Sequence, residues 1–173
     1  MTLILGGKGD TMLILENITI ISPSALIPHQ DIIVKGEWIA EVRDHRGGTY
    51  PAQATRIDGT HLMVTPGWVD LQVNGGFGYD FTLTPDAIWK VAERLPTLGI
   101  TAFLPTIITS PPETWERAMG VWQQGPPRGW RGAVPLGWHF EGPFLNVEKR
   151  GAHPIHHLRL PDRELVRSWS RER

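Results

Sequence analysis

From residue 66 onwards, apolar runs typical of β-strands alternate with segments that have the pattern of amphipathic helices. The three apolar runs are Trp68–Val73, Ile100–Ile108 and Ala133–Phe140. A helix pattern follows each run, and the last one covers Asp162–Arg171. Strands that alternate with helices form parallel sheets with right-handed crossovers. Residues 66–173 therefore predict an α/β fold made of three consecutive strand–helix units.

The first two helix patterns carry signals for where each helix begins and ends. Thr84 followed by Pro85 is typical of an N-cap and a first turn, and Gly99 is typical of a helix end. Ser110 and Glu113 have the spacing of a capping box before the second helix. The predicted apolar faces are Ile88, Val91, Ala92 and Leu95 on the first helix, and Trp115, Met119 and Trp122 on the second.

Residues 12–65 follow a different pattern, with short strands and no helix. The predicted strands are Leu13–Ile21, Asp31–Val34, Trp38–Val42, Thr55–Ile57 and His61–Val64. A tight turn at Lys35-Gly36 joins the second strand to the third. These strands predict a small β domain that is an incomplete β-sandwich, because they are too few to close two sheets. Residues 1–11 precede the first strand and are interpreted as an extension.

Composition narrows the class of protein. The chain of 173 residues has a formal net charge of -1 and no block of Lys and Arg, so we expect neither nucleic acid nor an anionic membrane as a partner. It has no cysteine, which excludes a disulfide scaffold and a thiolate metal site. No apolar run approaches the roughly 20 residues of a membrane helix, and the N-terminus lacks the features of a signal peptide. These observations predict a soluble, cytoplasmic protein.

Polar side chains lie where the predicted parallel strands end. His139 and Glu141 end the third strand, and Gln72 and Asn74 end the first. Residues two apart in a strand point to the same face, and ligands of parallel α/β folds bind at the carboxyl ends of strands. The segment 106–110 ends the second strand and belongs to the same region. Four polar groups that converge there can hold a metal ion and its water, with Glu141 as the anionic ligand.

Three blocks of the sequence resemble N-acetylglucosamine-6-phosphate deacetylases, a family of the amidohydrolase superfamily. The blocks are PGWVDLQVNGGFGYDFT (66–82), GITAFLPTIITS (99–110) and HFEGPFLNVEKRGAHP (139–154). The last block is specific to the family, whereas the Pro-Gly-x-x-Asp pattern of the first indicates only the superfamily. The resemblance extends almost continuously from Met12 to Pro161.

The resemblance implies a fold, an activity and a cofactor. The fold is the N-terminal portion of a (β/α)8 TIM-type barrel, preceded by the incomplete small β-sandwich domain. The activity is hydrolysis of the acetamide of N-acetylglucosamine 6-phosphate to glucosamine 6-phosphate and acetate, in amino-sugar catabolism. The implied cofactor is a divalent metal, one zinc ion, that activates water while an Asp moves the proton. The implied partner is a small-molecule amino-sugar phosphate, and the full-length enzyme is expected to be a homo-oligomer.

The resemblance also implies roles for individual residues. Glu141 matches the metal-binding glutamate at the end of the third strand, and Ala152 and His153 match positions that contact the substrate. Gln72 and Asn74 occupy the place where many amidohydrolases have His-x-His, and family members with Gln-x-Asn hold a single metal. The side chains assigned to the metal-bound water or its surroundings are Gln72, Asn74 and His139.

Simpler interpretations stand beside these roles. His139 can instead cap the strand through backbone hydrogen bonds, and Gln72 and Asn74 can be polar turn residues. His153 can be an ordinary loop residue, although the neighbouring segment 149–151, Lys-Arg-Gly, suits an anionic sugar phosphate. The eight tryptophans are expected to pack in the core and on the helices, since this is their commoner role.

The resemblance covers less than half of the enzyme. The family's two metal-binding histidines and its general-base Asp would lie after residue 173, so no catalytic residue is assigned in this chain. A full barrel needs about 250 residues, so we expect the chain to be inactive alone. Two alternatives stay open: a non-catalytic truncated remnant, and another hydrolase of the superfamily. Such a hydrolase is expected to keep His-x-His where Gln72 and Asn74 stand.

Overall fold

The computed structural model describes residues 11–169 and contains two compact units. The first unit extends to Gly67, and the second begins at Trp68. The predicted extension, residues 1–11, lies outside the described residues except for Thr11. The predicted end of the third helix, beyond Trp169, also lies outside them.

The first unit is a single mixed sheet of five strands. They are β1 (Met12–Ile21), β2 (Leu26–Lys35), β3 (Trp38–Asp44), β4 (Thr55–Asp58) and β5 (Met63–Val64). Strand β1 is central: it pairs antiparallel with β2 and parallel with β4 and β5, while β3 pairs with β2. The buried side chains of the sheet include Ile14, Ile18, Ile32 and Ile33. The described residues of this unit thus form one sheet, and the two-sheet sandwich is not present among them.

Strand β2 begins earlier than the sequence pattern predicts. The predicted strand starts at Asp31, whereas the observed one starts at Leu26. Pro28 obscured this start, because proline cannot donate to a ladder and is found at strand edges and bulges. Here Pro28 lies beside an irregularity in the β1–β2 register, between the pairs Ile18–Gln30 and Ile20–Ile27. The pairing with β1 therefore extends the strand past a residue that normally ends one.

Asp31 is the centre of a buried polar cluster in the first unit. Its side chain is 2% exposed and accepts hydrogen bonds from the Asn17 backbone N–H (3.0 Å), the Tyr50 hydroxyl (2.7 Å) and His45 Nδ1 (2.8 Å). Arg43 Nε lies 3.9 Å away. Burial alone raises the pKa of Asp31, but the hydrogen bonds from Asn17, Tyr50 and His45 outweigh it and hold the pKa below its ordinary value. The sequence patterns gave no sign of this cluster.

The second unit alternates strands and helices. Its strands are β6 (Trp68–Val73), β7 (Gly75–Gly76), β8 (Tyr79–Asp80), β9 (Ile100–Ile108), β10 (Val134–Pro135) and β11 (His139–Glu141). Its α-helices are α1 (Ile88–Arg94), α2 (Pro112–Gln124) and α3 (Arg163–Ser168), and its short 3-10 turns are Pro85–Ala87, Leu95–Leu98, Val147–Lys149 and Ile155–His157. Strands β6, β10 and β11 all pair parallel with the central β9, which confirms the predicted α/β class. None of the helices in the described part of the chain is long and apolar enough to span a membrane.

The predicted third strand is interrupted. Val134 pairs opposite Ala102 of β9 and His139 opposite Thr106, so β10 and β11 advance five positions while β9 advances four. The extra residue is accommodated where Gly137 adopts a φ of 151°, a conformation that favours glycine. An insertion of this kind re-aims the side chains that follow it. The interruption therefore sets the direction of the side chains of β11.

Two of the predicted helix caps, at Thr84 and Ser110, are wrong. The Thr84 hydroxyl donates to the Asp80 carbonyl (2.9 Å) and does not cap the helix, which begins with a 3-10 turn. The Ser110 hydroxyl donates to the Ile108 carbonyl (2.7 Å), so the predicted capping box does not form. Both hydroxyls bond to a preceding carbonyl, a common competing choice for Ser and Thr. Asp162, in contrast, accepts from two backbone N–H groups of the first turn of α3.

The helices pack on one hydrophobic core within the second unit. All four residues of the predicted face of the first helix are buried. On α2 the buried residues are Trp115, Ala118 and Val121, whereas Met119 and Trp122 are only partly buried, so the predicted face was rotated. Full burial of a side chain such as Phe103, at 0% exposure, stabilises the fold by about 1.5–3 kcal/mol.

Tryptophan packing connects the helices and loops of the second unit. The Trp89 and Trp130 rings lie edge to face at 5.2 Å, and Trp130 Nε1 donates to the Trp89 carbonyl. Trp138 Nε1, beside the interruption of the third strand, donates to a carbonyl of α2. Core packing therefore accounts for most of the tryptophans, as predicted. Trp38 and Trp68 are exceptions, with 80% and 67% of their surface exposed.

Candidate functional site

The carboxyl ends of the parallel strands bring Gln72 and Glu141 together. Glu141 is the last residue of β11, and Gln72 lies near the end of β6. Both strands pair with β9, so their ends lie at the same edge of the sheet. Gln72 Nε2 donates to Glu141 Oε2 at 3.0 Å. The two side chains therefore share one face of the sheet.

His153 enters the same site from the loop after β11. It is 8% exposed, and its Nε2 lies 3.4 Å from Glu141 Oε1. The loop is closed by two hydrogen bonds: the His153 N–H donates to the Arg150 carbonyl (3.1 Å), and Arg150 Nη1 donates to the His153 carbonyl (2.9 Å). Glu141 is thus held between an amide and an imidazole, while 34% of its side chain stays exposed.

His139 lies on β11, two residues before Glu141, and bonds to a threonine on β9. Its Nδ1 is 3.1 Å from the Thr106 hydroxyl, which also lies 3.2 Å from the Leu104 carbonyl. The Thr106 hydroxyl has one hydrogen, which it can donate either to the Leu104 carbonyl or to His139 Nδ1. This contact replaces the backbone cap that was the simpler interpretation of His139.

The remaining predicted residues, Asn74 and Ala152, are both exposed. Asn74 follows the end of β6 and is exposed, and within residues 11–169 its side chain has no hydrogen bond, although its carbonyl accepts from the Phe81 N–H. Ala152 is exposed, next to the buried His153. Arg150 holds the loop through its contact with the His153 carbonyl, so its guanidinium is committed to the backbone. Lys149 is exposed.

The site combines donors that suit a divalent metal but does not form a complete ligand set. A carboxylate, an imidazole nitrogen and an amide oxygen are ordinary ligands of zinc and similar ions. Among residues 11–169, no group of three or more His, Asp or Glu side chains is arranged to hold a metal ion. A catalytic zinc site commonly has three protein ligands. Among the described residues, Glu141 therefore fits as one metal ligand of a larger ligand set.

Two threonines of the site had no predicted role. Thr106 and Thr109 lie at the end of β9 and are 0% and 1% exposed, and each contacts a histidine. The sequence identified segment 106–110 as a strand end but gave no reason to choose these two. Their signal is a polar residue within an otherwise apolar buried strand, which usually means a specific hydrogen-bond partner.

Comparison with known proteins identifies related sequences. No family model matches the chain. N-acetylglucosamine-6-phosphate deacetylase of Homo sapiens is 36% identical over 161 residues, which are 89% of this chain and 38% of that protein. The enzyme of the same name from Bacillus subtilis is 28% identical over 167 residues, 92% of this chain and 41% of that protein.

Solved structures point to the same group. N-acetylglucosamine-6-phosphate deacetylase from Pasteurella multocida superposes with a TM-score of 0.72 at 29% identity, over 91% of this chain and 41% of that chain. A mutant of the Mycobacterium smegmatis enzyme, in complex with N-acetyl-D-glucosamine-6-phosphate, shares the fold at 24% identity with a TM-score of 0.64, over 91% of this chain and 39% of its own. The chain spans about two-fifths of the length of these relatives. The resemblance predicted from the sequence is confirmed: this chain is similar to the N-acetylglucosamine-6-phosphate deacetylases.

Proposed function

We propose that the protein carrying this chain hydrolyses the acetamide of N-acetylglucosamine 6-phosphate to glucosamine 6-phosphate and acetate. The observation that carries the proposal is the placement of Glu141 between Gln72 and His153 at the ends of parallel strands. The names of the relatives support the reaction, and the Mycobacterium smegmatis complex supports the substrate. Amino-sugar catabolism in the cytoplasm by a homo-oligomer is part of the same proposal.

The proposed cofactor is one divalent metal ion, zinc. Glu141 would hold it as the anionic ligand, and Gln72, Asn74 and His139 would surround its water. A bound divalent metal lowers the pKa of water and polarises a carbonyl. Gln72 is a neutral amide already bonded to Glu141, so it orients that carboxylate and adds no charge. One carboxylate beside the amides of Gln72 and Asn74 favours a single metal over a pair.

Ala152 and His153 are proposed to contact the substrate. Ala152 is exposed beside the site, so its backbone and small side chain leave room for a sugar. His153 is buried against Glu141, and its ring is held at both nitrogens by Thr109 and Glu141. A buried ring in a fixed direction loses little entropy when it forms a hydrogen bond to a ligand. His153 can therefore select for the polar groups of a sugar.

The proposed barrel explains the apolar surface of the parallel sheet. Large side chains of β6, β10 and the loop after it are 48–67% exposed, namely Trp68, Val69, Leu71, Val134 and Leu136. Exposed apolar surface of this extent is normally covered. In a complete (β/α)8 barrel, further strands and helices cover both faces of such a sheet. Because Glu141 is one ligand of several, we infer that residues 1–173 alone do not deacetylate.

The test is acetate release from N-acetylglucosamine 6-phosphate by the full-length protein, before and after treatment with a chelator. We expect release that the chelator abolishes and added zinc restores. The matched control substrate is N-acetylglucosamine without its phosphate, which should react far more slowly. No release by the full-length protein would favour a non-catalytic remnant. Acetate release that the chelator does not change would contradict the proposed metal cofactor.

A further inference from the structure

We propose that Thr109 is a positioning residue that fixes the ring of His153, so that Nε2 of the ring faces Glu141. The consequence for substrate binding rests on the function proposed above, whereas the orientation of the ring does not. Thr109 directly follows β9, and His153 lies in the loop after β11. The contact therefore joins two strand ends of the site.

Two polar groups of Thr109 contact one nitrogen of His153. The Thr109 backbone N–H donates to Nδ1 at 3.3 Å, and the Thr109 hydroxyl oxygen lies 2.8 Å from the same atom. A backbone N–H can only donate, so Nδ1 must be the acceptor, and the proton of the neutral ring lies on Nε2. Nε2 is the atom that lies 3.4 Å from Glu141 Oε1. The tautomer that Thr109 selects is thus the one that can donate to Glu141.

The hydroxyl of Thr109 is itself enclosed. Its residue is 1% exposed, and its oxygen lies 3.5 Å from the Glu141 carbonyl. Gly142 leaves the space for it: a Cβ atom at Gly142 would lie 2.1 Å from the hydroxyl oxygen, and the glycine has a φ of 97°. The glycine after Glu141 therefore permits the approach of Thr109. In the sequence Glu-Gly-Pro, Glu141 thus supplies the carboxylate and Gly142 leaves room for the Thr109 hydroxyl.

The neighbouring threonine contact is different. Thr106 offers His139 a hydroxyl at 3.1 Å, whereas Thr109 offers His153 a backbone N–H in addition to a hydroxyl. A hydroxyl can donate or accept, so the backbone donor is what fixes the tautomer at His153.

The test compares three variants of the full-length protein. Thr109→Val removes the hydroxyl and keeps the shape of the side chain. Thr109→Ser keeps the hydroxyl, and Ser110→Ala is the matched control. Ser110 is also buried, at 3% exposure, but its hydroxyl bonds only to a strand carbonyl. The first measurement is the 15N spectrum of the His153 ring in metal-free protein at about pH 8, where an ordinary imidazole is neutral. The second is the separate determination of KM and kcat.

We expect the wild type, Thr109→Ser and Ser110→Ala to show a protonated Nε2 and an unprotonated Nδ1. Thr109→Val keeps the backbone N–H, so the same tautomer should persist, but the 15N shift of Nδ1 should change and KM should rise roughly 3–10-fold with a smaller change in kcat, as loss of one hydrogen bond implies. A wild-type ring protonated at Nδ1 overturns the proposal, even if Thr109→Val does not fold. So does a folded Thr109→Val with the wild-type spectrum. If the wild type lacks activity, the proposed function fails while the spectrum still decides the role of Thr109.

Discussion

The two units each contain a carboxylate in contact with a histidine, but the two carboxylates are satisfied to different degrees. Asp31 in the first unit is 2% exposed and accepts from a backbone N–H, a hydroxyl and an imidazole. Glu141 in the second unit is 34% exposed and has one amide at 3.0 Å and one imidazole at 3.4 Å. Asp31 accepts three of the about four hydrogen bonds that a carboxylate can accept, whereas Glu141 has more of its capacity left.

This difference separates a structural carboxylate from a candidate ligand. A buried carboxylate is tolerated only when hydrogen bonds replace its lost hydration. Asp31 meets that condition within its own unit, so any further ligand would have to displace a partner. Glu141 stays reachable at a strand end and is oriented by Gln72 and His153. A metal could therefore bind Glu141 without displacing a hydrogen bond that stabilises the fold.

The largest expected effect comes from Glu141→Gln. The substitution keeps the shape and replaces a charged ligand with a neutral one. Loss of an outer partner of a metal site already costs roughly 10–100-fold in activity, so we expect a greater loss of acetate release here. The measurement is kcat/KM for N-acetylglucosamine 6-phosphate, together with the melting temperature, which should change little. Activity near that of the wild type would remove the distinction between the two carboxylates.

His153→Ala should have the next largest effect. The variant removes a proposed substrate contact and leaves Glu141 in place, so kcat/KM should fall roughly 10–100-fold, as a buried polar partner left without its hydrogen bond implies. Metal content should stay at the wild-type level. Zinc measured by elemental analysis decides the point, because loss of metal in this variant would make His153 a ligand itself.

Asp31→Asn should affect stability and spare activity. The amide cannot accept from all the donors that surround Asp31, and each buried donor left unsatisfied costs about 1–3 kcal/mol. We expect the midpoint of urea unfolding to fall while kcat/KM stays constant. Asp44→Asn is the matched control, because the Asp44 side chain is 70% exposed. An equal loss of stability in both variants would show that the cluster has no special role.

The pH dependence of unfolding should show a smaller effect of the same Asp31 cluster. The folded-state pKa of Asp31 is lowered, so its contribution to stability is present above the unfolded-state pKa of about 3.9 and is lost as the pH falls through the folded value. The stability difference between the wild type and Asp31→Asn should therefore narrow as the pH drops below about 4. Urea unfolding at several pH values measures it. A difference that widens on acidification would contradict the lowered pKa.

The sequence predicted those elements whose signals are local. The bounds of β6 and β9 match the predicted strands, because each apolar run ends at turn residues. The interruption at Gly137 was missed, because it arises from the register between the third strand and β9. Strand patterns do not reveal which strands pair. The arrangement of the first unit as one sheet around β1 could therefore not be predicted.

The site was predictable to the same extent. The contact between Gln72 and Glu141 follows from strand ends that meet at one sheet edge. The position of His153 was available only through the family block, because the loop that carries it has no periodic pattern. Thr109 and Asp31 were not predictable, since their importance lies in partners 44 and 14 residues away. Long-range hydrogen bonds leave no mark on local spacing.

Glu141, and not Asp31, is the carboxylate proposed to bind the metal. The direct measurement is the zinc content of the full-length wild type, Glu141→Gln and Asp31→Asn after dialysis against zinc and then against metal-free buffer. We predict one zinc ion per chain in the wild type and in Asp31→Asn, and a small fraction of that in Glu141→Gln. A Glu141→Gln protein that retains the wild-type zinc content would contradict the claim.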